Sequence, residues 1–299
     1  MPRDRDQFVG LAAALACAVL LGSAVAVSRF AYDGGASGVV VAVSRCAMTI
    51  VILGIGIRLT GRGLGLPQGL LALSIVNGVL MGAMTYGNIG AIEFIPVGLA
   101  SLLFFSFPVM IAVLVMLFRI EHVSVPKLFA VALAFIGVAV MLGVSVGSVD
   151  GRGTSLSLMG AMATAVNAIL VAYYFRTTNV FVMTFHFSIW ALVFLVVLGL
   201  TVAEVRLPVT AGGWSGIAGV AVLQGIGAPV YFYAIARIGA LKTGMVTNIQ
   251  PPVSIFEAWV LFDEVLGALQ ALGGALVLVA IGFMQWVDLR ARRGGAAAD

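Results

Sequence analysis

The sequence predicts an all-α integral membrane protein with ten transmembrane helices arranged as two inverted five-helix repeats. Three observations carry that prediction. Hydrophobic residues make up 62% of the chain and charged residues 9%, with a mean hydropathy of +1.16. A soluble domain carries about 25% charged residues, so this inventory cannot build a water-soluble surface. Apolar stretches of about 20 residues, enough to cross a hydrocarbon core of about 30 Å, recur ten times. Finally, a pattern of proline and glutamate repeats at an offset of 143 residues.

In chain order the spans are 8–27, 36–57, 69–89, 97–118, 128–149, 154–175, 180–203, 212–236, 243–262 and 265–287. The first follows Arg3 and Arg5 and ends on "AVA", as a cleavable signal can. Its apolar run is longer than a signal core, and its removal would spoil the five-plus-five pattern. The second carries a charge, Arg45. The third and eighth are glycine-rich, and the fourth and ninth contain mid-span prolines. In the fifth, "LFAVALAFIGVAVML" is continuously apolar, which suits a helix and lacks the alternation of a β-barrel strand. The sixth and seventh hold Asn167 and His186, and the tenth is again rich in small residues. All connections are too short to hold a soluble domain.

Positive charges set the orientation. With a cytoplasmic N-terminus, the inner segments hold twelve basic residues, from Arg3 and Arg5 through Arg237 and Lys242 to Arg293, while the outer loops hold Arg152 and Arg206. Arg29 and Arg45 are boundary or embedded residues. This positive-inside bias puts both termini in the cytoplasm of a multi-pass plasma-membrane protein (the inner membrane, in a bacterium). It also accounts for the net charge of +4 through topology; the basic residues are too dispersed for a nucleic-acid surface. Cys17 and Cys46 lie within apolar spans, which fits buried thiols and no disulfide framework.

Residues 91–124 and 234–267 align at the 143-residue offset: Ala91 with Ala234, Ile95 with Ile238, Pro108 with Pro251, and Glu121 with Glu264. Five spans separate the copies, an odd number, so the halves 1–150 and 151–299 enter the membrane in opposite directions. Such inverted repeats suit alternating access around a midplane site. A mid-helix proline removes a backbone hydrogen bond, and in lipid the freed group needs a neighbour or a water-filled cavity. Pro108, Pro251 and Pro252 therefore mark helix breaks, and Asn248 and Gln250 supply polar groups beside the second. A tolerated kink that only shapes packing is the competing reading.

"GLASLLFFSFPVMIAVLVMLFRIE" and "TGMVTNIQPPVSIFEAWVLFDE" resemble the two copies of the EamA-type repeat. Arg45 in "VSRCAMTIV" resembles an arginine common in that family's second helix; its counterpart here is Ser188. The resemblance covers nearly the whole chain. It implies the drug/metabolite transporter superfamily, with ten helices, a central cavity and export of amino acids, other metabolites or drugs. The aromatic path most resembles the aromatic amino-acid exporter branch.

The chain contains no P-loop, H-E-x-x-H or G-x-S-x-G motif, so an ATP-driven pump or hydrolase is disfavoured, and no enzyme activity, cofactor or metal is expected. Candidate substrate-binding residues are Arg45, Asn77, Tyr86, Phe105, Asn167, His186, Gln224, Asn248 and Gln250. Arg45 can anchor a carboxylate or serve as a structural arginine. His186 can switch with protons or be a structural histidine, and the amides can line a cavity or bond across helices. Glu257 can couple protons, attract cations, or be a paired boundary charge. The G-x-x-x-G pairs at 78/82 and 212/216 are read as packing devices.

The leading function is secondary export of small amphipathic metabolites, amino acids including aromatic ones, with the bilayer and a small solute as partners. Export of organic cations or drugs is the alternative within transport. The first span lacks the carboxylate on which small multidrug pumps rely. A pore or scaffold subunit is the alternative from another class.

Overall fold

The computed structural model describes residues 2–61, 63–91, 94–95, 97–120, 123–143, 150–201, 204–262 and 267–295. These form α1 (Pro2–Asp33), α2 (Gly38–Leu59), α3 (Leu70–Ala91), α4 (Val97–Phe104), α5 (Phe107–Leu117), α6 (Val125–Leu142), α7 (Gly151–Tyr174), α8 (Val180–Thr201), α9 (Ala211–Ile238), α10 (Ala240–Thr247), α11 (Gln250–Phe262) and α12 (Ala268–Gly295). No strand occurs among the described residues. Nine stretches among them are long and apolar enough to cross a membrane. The predicted span 243–262 is not among the nine; it is divided into α10 and α11.

The fourth and ninth spans are each two half-helices. The first break falls at Phe105 and Ser106, the second at Asn248 and Ile249. Each proline lies just after its break rather than at it. Pro108 sits at the start of α5, and Pro251 and Pro252 in the first turn of α11. A first-turn proline gives up an N–H that has no intrahelical partner there. The breaks close with shorter i to i−3 bonds: Ser106 N donates to Leu103 O at 3.3 Å, and Ile249 N to Val246 O at 3.1 Å.

Some predicted edges move. α6 ends at Leu142, where Gly143 takes φ +56, a left-handed cap natural to glycine; the window 128–149 overshoots it. Glu121 and Glu264, which anchor the proline–glutamate spacing, lie outside the described residues.

Three helix starts in each half keep the 143-residue offset. α4 begins at 97 and α10 at 240 (97 + 143); α5 and α11 begin at 107 and 250, and α6 and α12 at 125 and 268. Contacts exchange in the same way. α1 packs on α9 and α7 on α3; α2 packs on α9 and α8 on α3; α1 meets α11 and α7 meets α5. The α2–α8 and α6–α12 pairs map onto themselves.

Close approach needs small residues. A Cβ on Gly82 of α3 would lie 2.5 Å from the Phe194 ring, and one on Gly78 2.3 Å from Trp190 Cβ. α6 and α12 meet similarly through Gly137 and Gly273, where a Cβ on Gly273 would lie 2.3 Å from the Met141 nitrogen. Backbones brought this near gain dispersion, the main packing force between helices in lipid.

Candidate functional site

A cavity of about 90 Å³ lies among the two breaks and helices α1, α2, α3, α7 and α9. Its walls are Leu21 and Val25 of α1, Arg45 of α2, Met84, Thr85 and Asn88 of α3, Phe104 and Phe107 from the first broken span, Thr164 of α7, Gln224 and Tyr231 of α9, and Gln250 at the start of α11. Three wall pairs are related by the same 143-residue offset: Leu21 with Thr164, Asn88 with Tyr231, and Phe107 with Gln250. The cavity thus lies where the two halves meet. The Leu21–Thr164 and Phe107–Gln250 pairs each match one apolar side chain with one polar side chain.

Two donors in the wall lack acceptors. The Arg45 Nε and the Tyr231 hydroxyl are buried with no hydrogen-bond partner. A guanidinium N–H and a phenol O–H left unsatisfied in low dielectric are costly, and both suit a ligand that accepts hydrogen bonds. The amides of Gln224 and Gln250 add groups that can donate and accept. Also in the wall, the rings of Phe104 and Phe107 lie 5.9 Å apart, with Phe105 edge-on to Phe104 at 5.6 Å.

Of the residues expected from sequence, Arg45, Gln224 and Gln250 are on this wall. Phe105 and Asn248 flank it at the two breaks, at equivalent positions (105 + 143 = 248), each buried at 7% and 1% exposure. The Asn248 Oδ1 has no partner. Asn77 and Asn167 sit elsewhere. Asn167 Nδ2 donates to Asn77 Oδ1 at 3.0 Å and to its backbone oxygen at 3.1 Å, a buried α3–α7 pair. His186 lies within 2.8 Å of the Leu64 carbonyl, in the α2–α3 connection. The Tyr86 ring packs over Gly90 of its own helix.

The wall also holds residues that were not singled out as ligands: Met84, Asn88 and Thr164. Asn88 lies at the end of its span, and Thr164 resembles any helix threonine, its hydroxyl donating to Gly160 O at 2.8 Å. For Asn88 and Thr164 the signal was the repeat itself: they are offset-related to the wall residues Tyr231 and Leu21, whereas Met84 has no such counterpart in the wall.

Broken helices that meet at a cavity between repeats are a recurring feature of secondary-transporter folds. Residues 151–286 match the EamA-like transporter family, so the resemblance drawn from "TGMVTNIQPPVSIFEAWVLFDE" holds for the second half. No curated protein matches the chain. A solved crystal structure shares the architecture, with a TM-score of 0.77 at 14% identity over 95% of this chain and 98% of that one. At that identity the likeness is one of fold alone.

Proposed function

We propose that the protein is a secondary transporter that exports small amphipathic metabolites, amino acids including aromatic ones, by alternating access between two inverted halves, 1–150 and 151–299. The observation that carries this reading is the cavity wall. Arg45 Nε and the Tyr231 hydroxyl await an acceptor, while Phe104 and Phe107 offer an apolar surface. A carboxylate head with an apolar body matches both. An organic cation would meet Arg45, a like charge, which disfavours the drug-export alternative.

The halves exchange helix contacts, and three of their helix starts, at one offset, which supports the symmetric rocking that alternating access requires. The cavity of about 90 Å³ is smaller than the roughly 300–1,000 Å³ of drug-sized pockets. Solute entry therefore requires the half-helices to part. Both termini lie in the cytoplasm on this reading, with the 34–37 and 206–209 loops outside.

Purified protein in proteoliposomes preloaded with unlabelled phenylalanine is expected to accumulate labelled phenylalanine transiently by counterflow. Equilibration without an overshoot would indicate a pore. An overshoot with an organic cation and none with phenylalanine would overturn the substrate class.

A further inference from the structure

We propose that Glu257 is a proton-binding site through which proton movement is coupled to solute movement, an inference that rests on the transporter reading above. Glu257 is the one charged residue of α11. It lies seven residues beyond the cavity-lining Gln250, two helical turns along the same face. The Ser23 hydroxyl of α1 donates to its Oε1. Its Oε2 is buried and has no partner.

The seam that holds it is tight. A Cβ on Gly22 would lie 2.8 Å from the Gln250 carbonyl oxygen and 2.9 Å from Val253 Cβ, so α1 covers α11 from the cavity level outward. The charges α1 carries beyond Ser23 are Arg29 and Asp33, which pair with each other at 3.9 Å. On the other side of Ser23, six residues earlier, lies the buried thiol of Cys17. α1 is the principal partner of α11.

A carboxylate within a membrane span faces the bundle interior and needs a counter-group. Here one oxygen has a hydroxyl and the other has none. A metal ion of the calcium type takes about six to eight oxygens, and the seam offers a carboxylate and one hydroxyl. A proton needs no more than that. It adds to Oε2 from water and gives a neutral carboxyl, which the closed seam tolerates. Its release restores the carboxylate, which requires water and therefore an open seam. No redox change is involved. Opening moves α11, whose first turn presents Gln250 to the cavity, so proton and solute bias the same element and each must affect the binding of the other.

The test uses the full chain in proteoliposomes with labelled phenylalanine. Wild-type uptake is expected to be stimulated by an imposed pH gradient. Glu257→Gln is expected to keep counterflow without a gradient and to lose the gradient stimulation. A variant that still responds to the gradient overturns the proposal, and so does wild type that shows counterflow but ignores the gradient. Absence of wild-type counterflow is a failure of the transporter reading instead. Infrared pH titration then decides the proton site, because wild type is expected to show a protonated-carboxyl band that Glu257→Gln lacks. Identical spectra overturn the proposal. Should Glu257→Gln fail to fold, Ser23→Ala retains the carboxyl and removes its hydroxyl. It is expected to shift the pH of half-maximal uptake, and an unshifted profile overturns the proposal.

Discussion

Arg45 of α2 lines the cavity, and its buried Nε has no acceptor. An arginine at the centre of a membrane helix costs about 2.5–3.5 kcal/mol on insertion scales, a cost most simply offset by a bound carboxylate. A hydrogen bond to a charged group contributes about 1.5–3 kcal/mol, roughly a 10- to 100-fold change in affinity. Arg45→Gln is therefore expected to raise the half-saturating phenylalanine concentration by about that factor while the protein folds normally, as read by counterflow and by thermal unfolding. Unchanged transport in a folded variant would remove the anchor role. The amides show why residue type alone does not define a site. Asn77 and Asn167 are as polar as Gln224 and Gln250, yet Asn167 Nδ2 donates to Asn77 Oδ1 across α3 and α7 instead of lining the cavity. Which way a helix face turns depends on its neighbours, and that information is not local to the residue.

At the scale of the element, the spans were legible because lipid leaves a crossing chain little choice but a continuous helix or a closed barrel. The breaks were legible too, within a few residues. Pro108 and Pro251 locate them on the N-terminal side because proline is tolerated in the first turn of a helix, so the interruption comes just before it. Helix starts were harder to place, since capping depends on geometry. α7 is capped by Asp150, whose carboxylate accepts from Arg152 N at 2.7 Å and from the Arg152 guanidinium at 2.9 Å. Those hydrogen bonds hold its pKa below the ordinary 3.8. A depressed carboxylate contributes stability that is present above the unfolded value and lost as pH falls through the folded one. Hydrogen exchange at residues 152–154 is accordingly expected to stay protected as pH falls past 3.8 and to accelerate only in more acidic solution. In Asp150→Asn the protection is expected not to vary over that range. Loss of wild-type protection already well above that pH would contradict the assignment.

Across the whole molecule, interhelical ion pairs collect at one end. Asp6 of α1 pairs with Arg237 of α9, and Asp288 of α12 takes Lys242 of α10 at 2.8 Å and Lys127 of α6 at 3.1 Å. At the other end, pairs such as Asp150–Arg152 and Glu204–Arg206 are local. There the loops bond to each other instead, Val209 N to Gly34 O and Ser37 N to Arg206 O, each at 2.9 Å. The end with the interhelical pairs is the one that charge bias assigns to the cytoplasm. In a background with Cys17 and Cys46 replaced by alanine, Arg206→Cys is expected to react with an impermeant maleimide in intact cells and Arg176→Cys to stay unlabelled until the cells are opened. The reverse pattern would invert the orientation.

The central claim is that the solute path runs through the cavity between the two breaks. Gln250 tests it most directly, because it lines that cavity and opens the half-helix α11. In the same cysteine-free background, Gln250→Cys is to be labelled in proteoliposomes by a small water-soluble thiol reagent, with and without phenylalanine. Labelling is expected, and phenylalanine is expected to slow it in a concentration-dependent way. A thiol at 250 that labels equally fast with and without solute, or that stays inert under both conditions, would contradict it.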